Sequence, residues 1–357
     1  MAQGDHRAAL SSAWSAFGDA HGDTRRIIAV HDTSPRVSTN TVYRVSLDDG
    51  TNVYGKVSSY GSYFLFAEDH DRLYRCTDLL ADGPCRDFLA RVLGGPTPRG
   101  DRPFTWYDEN VWVAFYQEAQ KAESLPRQLN IGEITCLAEN MARFHTECRR
   151  IAPHIPATSN SIKSDAIHLL DLLSSPFAPR NFDLPPEHIG VLWRHTHDFL
   201  MELEHVRYDS WSRIPILVDW NLGNFSVKHR DGGFDLFSRW DYDWFRVESR
   251  LLDFYFLSRV SSATGDRTHW TYSPHTLVEP HFVEFVRAYH RVDPLSPDEI
   301  RFLPEAYRFF ILNYVVREGA RFFRADLCIK FRSDAARVYL PAIDRLDISP
   351  LLRAIDA

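Results

Sequence analysis

Asp219-Trp220-Asn221-Leu222-Gly223-Asn224 sets an acid and an amide at D-x-x-x-x-N spacing, directly after the apolar run Ile216-Leu217-Val218. Phe225-Ser226-Val227 follows, then Arg230-Asp231-Gly232-Gly233, then Phe234-Asp235-Leu236-Phe237. Apolar runs flanking a glycine turn read as a β-hairpin. A hairpin returns its ends to one edge, so Asp241, in Trp240-Asp241-Tyr242-Asp243, is expected beside Asn224. An amide oxygen and a carboxylate together suit a hard cation, which prefers oxygen ligands. Asp219 is then placed to act as a base. D-x-x-x-x-N alone is a common surface-loop pattern, and the hairpin with its second acid is what gives it weight. Gly223 is expected to permit a tight turn just before Asn224.

The rest of the chain changes character part-way. Residues 8–21 carry Leu10, Trp14 and Phe17 at helical spacing. Strand signals follow at 26–30, 41–47 and 52–57, with Asp48-Asp49-Gly50 as a hairpin turn. A helix over 63–80 and a strand over 111–116 complete a small antiparallel sheet with one crossing helix. Further on the pattern is helical: 131–148, 162–174, 187–207, 280–291, 298–323 and 332–345. Pro and Gly clusters at 94–103 and 176–186 read as loops. The expected class is α+β, with a strand-rich lobe over 1–117 and a larger, mainly helical lobe over 118–357.

Composition narrows the function. A chain of 357 residues can bury two cores. A net charge of −7 argues against a general nucleic-acid surface and suits neutral or cationic small molecules. No apolar run reaches about 18 residues, so no membrane span is expected. The opening Met1-Ala2-Gln3-Gly4-Asp5-His6-Arg7 lacks the form of a secretion signal. Five cysteines without a C-x-x-C pair imply reduced thiols and a cytoplasmic protein. G-x-S-x-G and H-E-x-x-H are both absent, which removes the common serine and zinc hydrolase readings. Lysine occurs only at 56, 121, 163, 228 and 330, so each one draws notice.

One acid to take a hydroxyl proton, with an amide oxygen and a second acid on magnesium, is what phosphoryl transfer from ATP requires. The stretch 219–224 resembles the catalytic loop of the aminoglycoside phosphotransferase and choline kinase group. The run from Arg239-Trp240-Asp241 to Leu252-Asp253-Phe254 is similar to that group's metal loop and its later structural acid. Leu137 through His145 resembles its "A-x-hydrophobic-H" helix, and Ser38 through Val45 resembles the nucleotide strand of its sugar, homoserine and N-acetylhexosamine kinase branches. The resemblance spans roughly 25–325 and implies a bilobal protein-kinase-like fold. It also implies that ATP and Mg2+ are cofactors and that a small-molecule hydroxyl is the acceptor.

The resemblance assigns further roles. Lys56 matches the strand lysine that holds the phosphates. Glu68 is the expected acid to fix it, with Asp69 and Asp71 as rivals. Phe115-Tyr116-Gln117-Glu118 is the expected hinge, where Tyr116 and Glu118 would offer backbone groups to adenine. Asn224 and Asp241 would hold the metal, and Asp253 would bond the catalytic loop's backbone. Acceptor contacts are expected among Asp243, Glu248, Tyr255, Trp270, Tyr272, Glu318 and Arg321. Two departures stand out. Leu217 and Val218 replace the usual His-Gly before the catalytic acid. The phosphate-covering loop, 32–40, has no glycine, so Ser38, Thr39 and Asn40 would have to donate in its place. These departures also fit a second reading, a kinase-like module that binds a ligand without turnover.

Overall fold

Alternation in the first strands builds the core. In the computed structural model, which describes residues 6–34, 40–59, 61–98, 100–265 and 271–356, the chain divides into two compact units. The first comprises 1–122 together with 237–243, and the second comprises 123–236 and 244–357.

Unit one opens with α1 (Arg7–His21), followed by β1 (Ile27–Asp32), β2 (Thr41–Leu47), β3 (Asn52–Ser58) and α2 (Tyr63–Leu79). The hairpin β4 (Gly94–Thr97) and β5 (Gly100–Pro103) comes next, then β6 (Thr105–Asp108) and β7 (Val111–Gln117). Five strands form an antiparallel sheet in the order β1-β2-β3-β7-β6. Tyr43, Val45, Leu47, Val53, Val57, Val113 and Phe115 point to one face and pack against Leu10, Ala13, Trp14 and Phe17 of α1. Side chains alternate along a strand, so Lys56, next to Gly55 and Val57, lies on the opposite face. The stretch 94–103, expected to be a loop, is a hairpin, because short glycine- and proline-bearing strands carry almost no periodic signal.

Unit two contains α3 (Ile131–Ile151), α4 (Ile162–Ser174), α5 (Ala178–Phe182), α6 (Pro186–His205) and β8 (Ile214–Ile216). The hairpin β9 (Phe225–Arg230) and β10 (Gly233–Arg239) follows, and β10 ends inside unit one. Then come β11 (Arg246–Glu248), which pairs with β8, and the helices α7 (Phe254–Val260), α8 (Pro280–Val292) and α9 (Pro297–Phe310). Helices α10 (Gly319–Phe322), α11 (Ala325–Asp334), α12 (Leu340–Ile343) and α13 (Ser349–Asp356) close the chain. Asn130 and Glu133 form a capping box that starts α3. The start of β10 docks on α3. The Asn140 amide donates to the Phe234 carbonyl at 2.9 Å, and Gly233 lies so close to Cys136 that an added Cβ would meet its Sγ at 2.8 Å.

Two expected helices are broken. The helix expected over 298–323 widens into a π-helical segment at Ile311–Arg317. There Arg317 reaches buried Asp165 at 2.6 Å, a tertiary bond that no periodicity records, and Asn313 of its own segment at 2.8 Å. A second π segment, Ala335–Tyr339, interrupts the helix expected over 332–345.

A Cβ at Gly55 would lie 2.5 Å from Leu10 Cδ2 and 3.2 Å from the Phe115 ring. Gly55→Ala is therefore expected to destabilise the protein by about 1–3 kcal/mol through overpacking. Urea unfolding would measure it, and an unchanged midpoint would contradict this packing.

Candidate active site

Lys56, Tyr116, Asp241 and Asp243 all belong to unit one. Lys56 Nζ lies 2.5 Å from Asp243 Oδ1, and both side chains are largely shielded. Burial alone would lower the lysine's pKa, but the charge and hydrogen bond of Asp243 outweigh it and hold the ammonium protonated well above its ordinary range. Tyr116, on β7, stands on the same face. Its hydroxyl lies 2.7 Å from His70 Nε2, and His70 Nδ1 lies 2.6 Å from the Phe66 carbonyl. A carbonyl only accepts, so Nδ1 carries the proton and Nε2 accepts from Tyr116. Burial, and then the neighbouring Lys56 charge, push the His70 pKa down to about 3. The histidine is therefore neutral at any ordinary pH.

The expected partner of Lys56 needs correction. Glu68 is well exposed and pairs with Arg72 at 3.1 Å, while Lys56 is held from the metal loop. Glu68 and Arg72 stand at i,i+4, where opposite charges on one helix face meet.

That loop is fixed from below. The Arg239 amide donates to the Phe88 carbonyl at 2.7 Å, and its guanidinium donates to the Asp241 carbonyl at 3.2 Å. The Tyr242 hydroxyl donates to the Arg239 carbonyl and accepts from the Ala90 amide, both at 2.6 Å. Its ring stacks on Tyr116 with centroids 6.1 Å apart. Asp241 Oδ1 accepts from the Asp243 amide at 3.1 Å. Asp241 itself has φ +125°, a conformation that costs a side-chain-bearing residue about 1–3 kcal/mol. These bonds over-determine the turn and keep the strained acid in place.

The loop that carries Asp219 and Asn224 belongs to unit two. Val218 has φ +59°, in the left-handed region that a β-branched residue rarely enters. Asp253, fully buried, holds it there. One carboxylate oxygen accepts from the Leu217 amide at 3.2 Å and the Val218 amide at 2.6 Å, and the other lies 2.8 Å from His145 Nε2. His145 Nδ1 lies 2.7 Å from the Tyr289 hydroxyl, which in turn lies 3.1 Å from Asp293. Asp253 thus bonds the loop backbone, as expected, and His145 is a packed structural group. Asp219 folds its carboxylate onto the Asn221 amide at 3.1 Å. Trp220 is fully buried and edge-on to Phe144 and Phe225, which pins the loop between Asp219 and Asn224. Gly223 has no positive φ and open space at its Cβ, so the special backbone of this loop is at Val218.

The remaining expected residues divide. Glu118 is exposed, 3.5 Å from Arg44 and 3.2 Å from the Asn52 amide. Asn40 is buried at the entry to β2. The Phe115 carbonyl and the Gln117 amide, part of the expected hinge, already bond the Leu93 amide and the Arg91 carbonyl. Ser38, Thr39 and Trp270 lie outside the described residues. Arg321 is half-exposed and pairs with Glu318.

Glu248, expected to meet the acceptor, is instead fully buried. It accepts from the Tyr208 hydroxyl at 2.8 Å and from the Ile162 amide at 3.0 Å, where it caps α4. Tyr255 and Tyr272 are core residues as well. Sequence reasoning missed His70 and Tyr242. The buried stripe Phe66, His70, Leu73, Thr77 has helical spacing and carries the signal for the first.

No protein-family model matches the sequence, and no curated protein matches it. Solved structures do. Amicoumacin kinase hAmiN, in complex with AMP-PNP, Ca2+ and Ami, superposes with a TM-score of 0.61 at 13% identity, over 94% of this chain and 97% of that chain. A microcompartment-associated aminopropanol kinase gives 0.59 at 16% identity, over 96% and 99%. Wild-type aminoglycoside 2'-phosphotransferase-IIIa, in its GDP complex, gives 0.56 at 13% identity, over 92% and 98%.

The chain has the protein-kinase-like fold. At such low identity the likeness is one of architecture. It accounts for the five-stranded sheet with a crossing helix in unit one and for the helical character of unit two.

Two outcomes test the kinase-like loops. Asp253→Ala strands the amides of Leu217 and Val218 and the His145 ring, at about 1–3 kcal/mol for each unmet group, so a loss of at least about 3 kcal/mol is expected in denaturant titration. The unfolded state takes a proton on His70 below its ordinary pKa of 6.5, whereas the folded state does so only near 3. Its contribution to stability therefore falls by about 1.4 kcal/mol per pH unit as pH drops below 6.5. The stability gap between wild type and His70→Gln should accordingly narrow from pH 7 to pH 5. A gap that stays constant would mean His70 is not held neutral.

Proposed function

We propose that the protein is a phosphotransferase that moves the γ-phosphoryl group of a purine nucleoside triphosphate to a hydroxyl of a small molecule. The observation that carries this reading is the grouping of Lys56, Asp241 and Asp243 behind the sheet of a kinase-like fold. A cation and two acids so placed suit a phosphate chain and its metal better than any hydrolytic chemistry. The similar structures point the same way, since one was solved with AMP-PNP and another with GDP. ATP is the expected donor.

The residues divide the labour. Lys56, with its proton secured, offers a fixed positive charge to phosphate oxygens. Asn224 and Asp241 carry the hard oxygen donors that Mg2+ prefers. Magnesium, when bound, neutralises charge that develops on the transferring group. Asp219 orients the acceptor hydroxyl and takes its proton. Its carboxylate is held by the Asn221 amide and its loop by buried Trp220, so the base is preset. A sugar, amino sugar or aminoglycoside-like acceptor fits the net charge of −7, and half-exposed Arg321 is a candidate contact.

The test is a phosphorylation screen across sugars, amino sugars, aminoglycosides, choline and homoserine, with ATP or GTP and Mg2+. Asp219→Asn should lower turnover of the accepted substrate by at least about 100-fold, with nucleotide affinity preserved. Asp241→Ala should lose magnesium-dependent nucleotide binding. Wild-type protein that binds Mg-nucleotide but phosphorylates nothing would favour the ligand-binding module.

A further inference from the structure

Lysines that grip phosphates need a fixed orientation, because a flexible ammonium spends its charge on solvent. On a scaffold with one crossing helix, the obvious source of an orienting acid is that helix. Among the described residues the acids of α2 meet arginines. Glu68 and Asp69 both pair with Arg72, and Asp71 pairs with Arg75 and Arg102. The α2 side chain that meets Tyr116 beside the lysine is His70, an imidazole that carries no charge.

We infer that Asp243 is the positioning residue of Lys56, and that lysine orientation has thereby moved from the crossing helix to the metal loop. The inference rests on the phosphotransferase reading and deepens it. Three observations carry it. Lys56 Nζ and Asp243 Oδ1 are 2.5 Å apart with both side chains largely shielded. The Asp243 amide is held by the Asp241 carboxylate at 3.1 Å, so the acid that orients the lysine and the acid assigned to the metal form one turn. That turn is tied to the chain below by Tyr242, through Arg239 and Ala90. In this role Asp243 acts on the nucleotide through Lys56. Displacing the Asp241 turn would release the lysine, and rotating α2 would not.

A double-mutant cycle on the full-length chain separates this role from direct metal or acceptor contact. The measurement is the Kd for AMP-PNP with Mg2+, by calorimetry, for wild type, Lys56→Met, Asp243→Asn and the double variant, with melting temperatures of the nucleotide-free proteins alongside. Each single change is expected to weaken binding by about tenfold or more, and the double variant by no more than the worse single one. Should Asp243→Asn fail to fold with an unpaired buried ammonium, Asp243→Glu is read in its place against Lys56→Met, and the same non-additivity is expected. Additive losses would overturn the proposal, because Asp243 would then touch the ligand on its own account. So would an Asp243→Asn protein that binds nucleotide within twofold of wild type. If wild type itself shows no saturable Mg-AMP-PNP binding, the phosphotransferase reading falls and this inference with it. If wild type binds and the cycle is additive, only this inference falls.

Discussion

One buried carboxylate sets the geometry of the loop that leads into Asp219. Asp253 has no water to solvate it, so its charge must be met by donors. Two consecutive backbone amides and an imidazole meet it, and those amides belong to the residues that immediately precede Asp219. A β-branched residue left to itself would not keep φ +59°. The carboxylate makes that conformation the one in which everything is satisfied. Val218 is thus held in a conformation that glycine would adopt unforced.

The turn at Asp241 follows the same logic in unit one. Asp241 is strained as well, and it too is fixed by several bonds around it. Fully buried Arg239 supplies one of them. Strain held at both loops is what preset geometry requires, since an acid free to relax would lose its aim.

Much of this was legible in the sequence, for identifiable reasons. The strict alternation of Thr41–Leu47 and the turn Asp48-Asp49-Gly50 announced β2 and β3, and the Gly-Gly turn announced β9 and β10. These are local signals. What failed was non-local. Glu248 reads as a site acid until Tyr208, far upstream, appears against it. The break in the helix after Phe310 depends on Asp165, from a different helix. Glu68 failed for a local reason that was open to view: an arginine four residues on competes for it. Asp243 had been expected near a metal or acceptor, and its pairing with Lys56 joins residues almost two hundred positions apart.

The close approach of Leu10 to Gly55 carries a practical corollary. A leading helix is easily mistaken for a dispensable extension and trimmed when a protein is prepared for study. Here its Leu10, Ala13, Trp14 and Phe17 cover the sheet's apolar face. Cutting it away would bare a sticky face of Tyr43, Val45, Val53 and Phe115. The expected product is an insoluble protein, whose silence in an assay would say nothing about its chemistry.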